Sequence, residues 1–204
     1  MRFTATLLTA ALALTLPALA SASTWKSDAA HSSVGFEVSH LMISKVRGSF
    51  DTAEATLELD EKNITNSKVK ATIAASSIDT GNEKRDGHLK SADFFDVAKF
   101  PALTFESTKV KKAGKNKLKV MGNLTIKDVS KPVTLEVTYT DAVKSPFAPV
   151  MVRGFTATTS IDRTQWGLTW NKGLETGGVL VGTDIEIRLS LEFQQDAEVK
   201  TASR

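Results

Sequence analysis

The chain has 204 residues, with 26 Lys and Arg against 23 Asp and Glu, a formal net charge of +3 and no cysteine. A balance this close to neutral, with no long basic stripe interleaved with aromatics, argues against a nucleic-acid partner. Without cysteine the fold rests on core burial and not on disulfides, and thiolate chemistry is excluded.

Met1 and Arg2 open the chain with a positive charge, and Leu7 to Ala20 is an uncharged apolar run. That run is shorter than the roughly 20 residues a membrane-spanning helix needs. Small residues follow at the spacing a signal peptidase reads, either Ala18-Leu19-Ala20 or Ala20-Ser21-Ala22. The pattern predicts a cleaved export signal over 1–22, with no cysteine at the cut to carry a lipid anchor. No second apolar span follows, so no membrane-spanning helix is expected. What remains is one domain of comfortable size over 23–194 and a polar tail over 195–204.

Beyond residue 30 the apolar residues alternate with polar ones at period two, the signature of strands with one buried face. Val34, Phe36 and Val38 alternate with Gly35, Glu37 and Ser39. Weaker runs follow over 46–59, 68–78 and 102–110. Leu118, Val120, Leu124 and Ile126 mark one face of 117–126, and Val133, Leu135, Val137 and Tyr139 one face of 131–140. A further run covers 152–161. The last is the clearest, with Val179, Val181, Ile185, Ile187, Leu189, Leu191 and Phe193 on a single face. Turn chemistry such as Ala113-Gly114-Lys115-Asn116 separates neighbours. Eight antiparallel strands of this kind build a sandwich or a closed barrel. Long strands expose long edges unless the sheet closes, which favours an all-β, eight-stranded antiparallel barrel whose lumen can hold one ligand. The aromatic girdles of an outer-membrane barrel are missing.

One stretch breaks the alternation: "DTGNEKRDGHLKSADFF", residues 79–95. Thr80 and Glu83 fit a capping box, predicting a short helix over about 81–92 near the barrel mouth. Leu89, Phe94 and Phe95 would dock it. On that helix the neighbours of His88 at three and four residues are Lys84, Arg85, Ser91 and Ala92, none a carboxylate, while Asp86 would pair with Lys90. A general base needs an orienting partner, so the helix reads as a cover more than a catalytic element. His31 and His40 lie nine residues apart on what reads as one strand, hence on opposite faces, and no metal centre is expected. The lysines at 109, 111, 112, 115, 117 and 119 surround a hairpin turn, where solvated cations discourage edge pairing. Trp166 and Trp170, in "IDRTQWGLTWNKGLETGGVLVG", read either as a hydrophobic plug or as a ligand-contacting rim.

Five segments in this order, "HSSVGFEVSHLMISKVRGSFD", "SSIDTGNEKRDGHLKSADFFD", "FPALTFES", "GNLTIKDVSKPVTLEV" and "LTWNKGLETGGVLVGTDIEI", resemble the YceI-like proteins across the whole exported part. Asp128 departs from the glycine more usual there. The resemblance implies a lipocalin-like barrel that binds polyisoprenoid or similar amphiphilic chains in its lumen, exported to the bacterial periplasm, and it is compatible with a homodimer. The expected reading is a carrier or storage protein for a long isoprenoid lipid, a quinone or a quinone precursor, with no cofactor and no catalytic residue. Phe36, Val38, Phe105, Phe155, Trp166 and Trp170 are the expected lumen contacts. Arg85, His88 and Asn171 are the expected headgroup contacts. Two alternatives stay open: an enzyme acting on such a lipid with His88 or His40 as acid–base, and a sensor of fatty amides or other amphiphiles.

Overall fold

The computed structural model describes residues 22–175 and 177–196. The expected export signal, save Ala22, and the tail beyond Asp196 lie outside the described residues. The strands are β1 (Ser23–Ser27), β2 (Ser33–His40), β3 (Ser44–Phe50), β4 (Ala53–Leu59), β5 (Lys68–Ala74), β6 (Ile78–Asp79), β7 (Ala102–Gly114), β8 (Lys117–Ile126), β9 (Val129–Tyr139), β10 (Val143–Lys144), β11 (Met151–Asp162) and β12 (Val181–Gln195). The one α-helix among them is α1 (Glu83–Lys90).

These segments make eight long staves. β1 and β2 form one, broken by the 3-10 turn Ala29–His31; β3 and β4 form the next, broken at 51–52; β5 and β6 form the third, broken by Ala75–Ser77. Each stave is antiparallel to its sequence neighbour, through β2–β3 and β1–β4, then β4–β5 and β3–β6, then β5–β7, β7–β8, β8–β9 and β9–β11. The ring closes through β11–β12 and then β12 with both β1 and β2. The result is a closed up-and-down barrel of eight antiparallel strands, as the alternation predicted. At 15 residues, β12 spans about 50 Å, and closure leaves almost none of that length as a free edge.

Alternation places the side chains. In β8 the burial runs strictly in and out, with Leu118, Val120, Gly122, Leu124 and Ile126 inward against lysines, Asn123 and Thr125. Two of the inward phenylalanines lie across glycines on the neighbouring strand. A Cβ on Gly122 would stand 2.4 Å from the ring of Phe105 and 2.5 Å from the Glu106 carbonyl oxygen. One on Gly48 would stand 2.4 Å from the ring of Phe36 and 2.8 Å from Thr80 Cγ2. A strand glycine covered by a cross-strand ring is a packing device, and filling it forces the ring or the backbone to move. Gly122→Ala is therefore expected to cost about 1–3 kcal/mol in urea melts; a loss below about 0.5 kcal/mol, the scale of a neutral surface change, would contradict this packing.

One end of the barrel is shut. Trp25, Leu59 and Phe193 are almost completely buried there, with Ala55 and Leu57. The Trp25 indole donates to Ser23 Oγ at 2.8 Å, and Phe155 meets Phe193 edge-on at 5.5 Å. Arg153 points into this base, 5.7 Å from the Trp25 ring centre, and pairs outward with Glu61 at 3.3 Å. At the other end β7 pairs with β5 but not with β6. The segment 80–101, which carries α1, fills that missing corner of the wall.

Candidate functional site

The lumen is a cavity of about 690 Å³, within the range of small-molecule sites. Its wall is the inward strand positions: Phe36 and Val38 from β2, Phe105 and Val110 from β7, where a register shift between Ser107 and Lys109 changes the parity, Val120 and Leu124 from β8, Phe155 and Ala157 from β11, and Ile185, Ile187, Leu189 and Leu191 from β12. Many of these inward residues, including Phe36, Ile187 and Leu189, are only half-buried although they face the barrel interior. Apolar side chains in a filled core are sealed by their neighbours; here they border open volume. Polar side chains, Ser27, Asp51, Glu54, Ser67 and Lys68 among them, line parts of the cavity, and Ser39, His40, Thr80, Asn82, Lys84, Arg85 and His88 reach it at the open end. Beside it the β2–β3 turn holds Leu41 and Met42 at positive φ and exposes Met42 and Ile43.

The mouth segment is built differently from the sequence expectation. Helix α1 runs over Glu83–Lys90, and its N-cap is Asn82, whose side chain accepts from Arg85 N at 3.0 Å. Thr80 is not the cap. It accepts from Arg85 Nε at 2.7 Å through Oγ1 and from Arg85 Nη2 at 2.7 Å through its carbonyl, while its own N–H and hydroxyl donate to Asp86. Asp86 thus folds back onto Thr80 instead of pairing with Lys90. The physical reason is that Gly81, at φ 71°, turns the chain so that the first helical turn faces the residue before it.

His88 does have an acid. Its Nε2 lies 2.9 Å from Asp93 Oδ2, five residues on and past the helix end, where i+3 and i+4 counting does not reach. The same ring stands edge-on to Phe94 at 5.1 Å and to Trp170 at 4.7 Å. His88 therefore clamps α1 to the loop between β11 and β12. Arg85 and His88 both line the cavity.

Of the remaining expected contacts, Phe36, Val38, Phe105, Phe155 and Trp170 lie in the lumen wall. Trp166 does not. It is 2 % exposed, and its indole donates to the Leu124 carbonyl at 3.1 Å, so it packs behind the wall as the plug alternative described. Gly167, at φ 75°, reverses the chain between the two tryptophans and sends only Trp170 inward. Asn171 is also outside the wall. Its side chain brackets Val181, donating to its carbonyl at 2.7 Å and accepting from its N–H at 3.1 Å, which pins the loop to the start of β12. His40 ends β2 at the mouth, and the strand is interrupted before His31, so the two histidines share no strand.

Asp28, His31 and Glu192 bring three donor atoms within 4.8 Å of one another. Asp28 and His31 already have a local role. Asp28 caps the 3-10 turn through Ala30 N at 2.9 Å, accepts from Gln194 at 2.7 Å and meets His31 Nδ1 at 2.9 Å. That contact holds the Asp28 carboxyl below its ordinary range and His31 above its own.

The model of the YceI-like domain matches residues 25–193. The chain belongs to the YceI-like family. A UPF0312 protein of Staphylococcus aureus strain N315 is 43 % identical over 166 residues, covering 81 % of this chain and 94 % of that protein. Among solved structures, Burkholderia cenocepacia BcnA is 25 % identical with a TM-score of 0.72, covering 81 % of this chain and 98 % of BcnA. A polyisoprenoid binding domain from Saccharophagus degradans superposes with a TM-score of 0.61 at 14 % identity, over 84 % of this chain and 98 % of that domain, which is a likeness of fold. The YceI-like fold is thus shared across sequences that have diverged widely.

Proposed function

We propose that this YceI-like protein binds one long-chain isoprenoid lipid in its lumen, as an exported carrier or store in the periplasm. The observation that carries this reading is the open, largely apolar cavity: a barrel shut at one end by Trp25 and Phe193, walled mainly by half-buried aliphatic and aromatic side chains, and with a cluster of cationic side chains, Lys84, Arg85 and His88, at the other end. The Saccharophagus degradans domain of the same fold is described as polyisoprenoid binding, which supports an elongated apolar cargo. Each buried methylene contributes roughly 0.8 kcal/mol before binding costs, so a few isoprene units suffice. Exposed ion pairs at the mouth add only about 0–1 kcal/mol and serve orientation.

Binding, not turnover, is the proposed activity. His88 has a carboxylate partner, yet its ring is packed between Phe94 and Trp170 in a role that holds the mouth segment together. Titration with prenols of increasing length tests both points. Affinity is expected to rise at least about tenfold for each added isoprene unit until the lumen is full, and the lipid is expected back unchanged by mass. Affinity independent of chain length would refute lumen binding; a product peak that disappears in His88→Ala would make the protein an enzyme.

A further inference from the structure

Arg163 begins the 3-10 turn Arg163–Trp166 directly after β11. It is 3 % exposed and lies in the wall of the lumen. Its guanidinium meets only backbone: Nε donates to the Gly182 carbonyl at 2.9 Å, Nη1 to the Leu168 carbonyl, and Nη2 reaches the Val181 carbonyl at 3.4 Å. The adjacent Asp162 turns away, accepting from Thr164 N at 2.9 Å and Thr164 Oγ1 at 2.7 Å.

Three charged side chains are buried among the described residues, and the other two have counter-ions. Glu37 lies against Arg47 at 3.2 Å and Arg188 at 3.5 Å, and Arg153 against Glu61 at 3.3 Å. Arg163 has carbonyl dipoles and the Phe94 ring, 6.0 Å away, but no ion pair among the described residues. A buried charge without a partner is strongly unfavourable, and dipoles offset only part of that cost. Burial accordingly holds the guanidinium below the usual arginine range, against the opposing pull of Asp162. A guanidinium carries five N–H donors. Three carbonyl bonds leave two of them, on a side chain that borders the cavity.

The surroundings point the same way. Lys84, Arg85 and His88 line the cavity as well; of the acids in the mouth segment Asp86 is bonded to Thr80 and Asp93 to His88, and the two acids that line the cavity, Asp51 and Glu54, come from the turn between β3 and β4 and the start of β4. Phe94 and Trp170, 5.5 Å apart, supply an aromatic wall beside the cation.

We propose that Arg163 anchors the headgroup of the bound lipid and selects an isoprenoid ending in an anionic oxygen group, a phosphate or a carboxylate. The tail then runs toward Trp25 and Phe193 at the closed end. This rests on the lumen-binding reading above and adds to it the chemistry of the head. An anion inside a water-poor lumen makes charge-assisted bonds to the guanidinium fork that a neutral alcohol cannot match.

Calorimetric titration with geranylgeranyl monophosphate, geranylgeranoic acid and geranylgeraniol tests this, since the three share one tail. The wild-type protein is expected to prefer either anion over the alcohol by at least tenfold. In Arg163→Met that preference should fall below threefold while the alcohol still binds within threefold of wild type, a result that a purely structural arginine would not give. Equal affinities in the wild type, or a preference that persists in Arg163→Met, would overturn the assignment. Should Arg163→Met fail to fold, arginine side-chain nitrogen NMR of the wild type decides. The Arg163 guanidinium signals, assigned with Arg163→Lys, must move when the monophosphate replaces the alcohol, and unmoved signals overturn the proposal. If none of the three lipids binds, the lumen-binding reading itself falls.

Discussion

Ile187→Trp is expected to weaken lipid binding about thirtyfold without unfolding the barrel. Ile187 sits mid-way along β12, opposite Phe36 on β2 and Thr159 on β11, and its side chain is half-buried because it borders the cavity. An indole placed there enters open volume, so the overpacking cost that large-for-small changes usually carry in a filled core is largely avoided. It occupies space that a bound chain would need. Displacing three methylenes at roughly 0.8 kcal/mol each removes about 2 kcal/mol, or some thirtyfold in affinity. Direct titration with a long prenol reads that loss, and urea melts of the lipid-free protein should change by less than about 1.5 kcal/mol. Unchanged affinity in this variant would place the lipid elsewhere on the molecule.

The second large effect concerns the closed end. Trp25 is 1 % exposed and organises the base, with Phe193, Leu57 and Leu59 around it and Arg153 over its ring. Trp25→Ala leaves a void on a scale that neighbouring strands cannot refill, because β1 is held in register on both sides by β4 and β12. A loss of about 3–5 kcal/mol is expected for the lipid-free protein. Arg153 also loses the aromatic face it stands on, and its Nε is already buried without an acceptor. A melt within about 1 kcal/mol of wild type would mean that the base is far more plastic than its packing indicates. The comparison has to be made without lipid, since a tightly bound ligand raises apparent stability by mass action.

How much of this could be read from the residues depends on the range of the interaction. Strand alternation is local, and it delivered the barrel: the inward faces of β8, of β9 and of β12 from Ile185 on are those the period-two pattern marks, whereas Val179 lies before β12 and a register shift separates Val181 from Ile185. Closure itself followed from strand length and the cost of free edges. The lumen contacts on strands, Phe36, Val38, Phe105 and Phe155, inherit their direction from that alternation and lie in the wall. The loop residues do not. Trp166 and Trp170 are four apart, but the left-handed Gly167 between them breaks the periodicity that would relate them, and only Trp170 reaches the cavity. Asn171 looked available for a ligand and is consumed by Val181, ten residues on.

The same limit explains the mouth. Helical counting gave His88 no acid, because Asp93 approaches from beyond the helix end. The capping pattern suggested Thr80, whereas the left-handed Gly81 moves the cap to Asn82. Trp25 escaped notice because its strand is five residues long, too short to show a period. Arg163 carried a signal, a lone cation between Ile161 and Trp166, but its isolation becomes visible only when the carbonyls of Leu168, Val181 and Gly182 are seen to surround it.

The central claim is that an isoprenoid fills this barrel, and the most direct measurement is the content of the protein as the cell makes it. The exported protein is purified without detergent, extracted with organic solvent and the extract analysed by mass spectrometry against protein concentration. The account predicts an isoprenoid lipid at close to one per chain, and less of it in extracts of Ile187→Trp prepared in parallel. Extracts holding only short fatty species, or a lumen that stays empty after loading with long prenols, would contradict it.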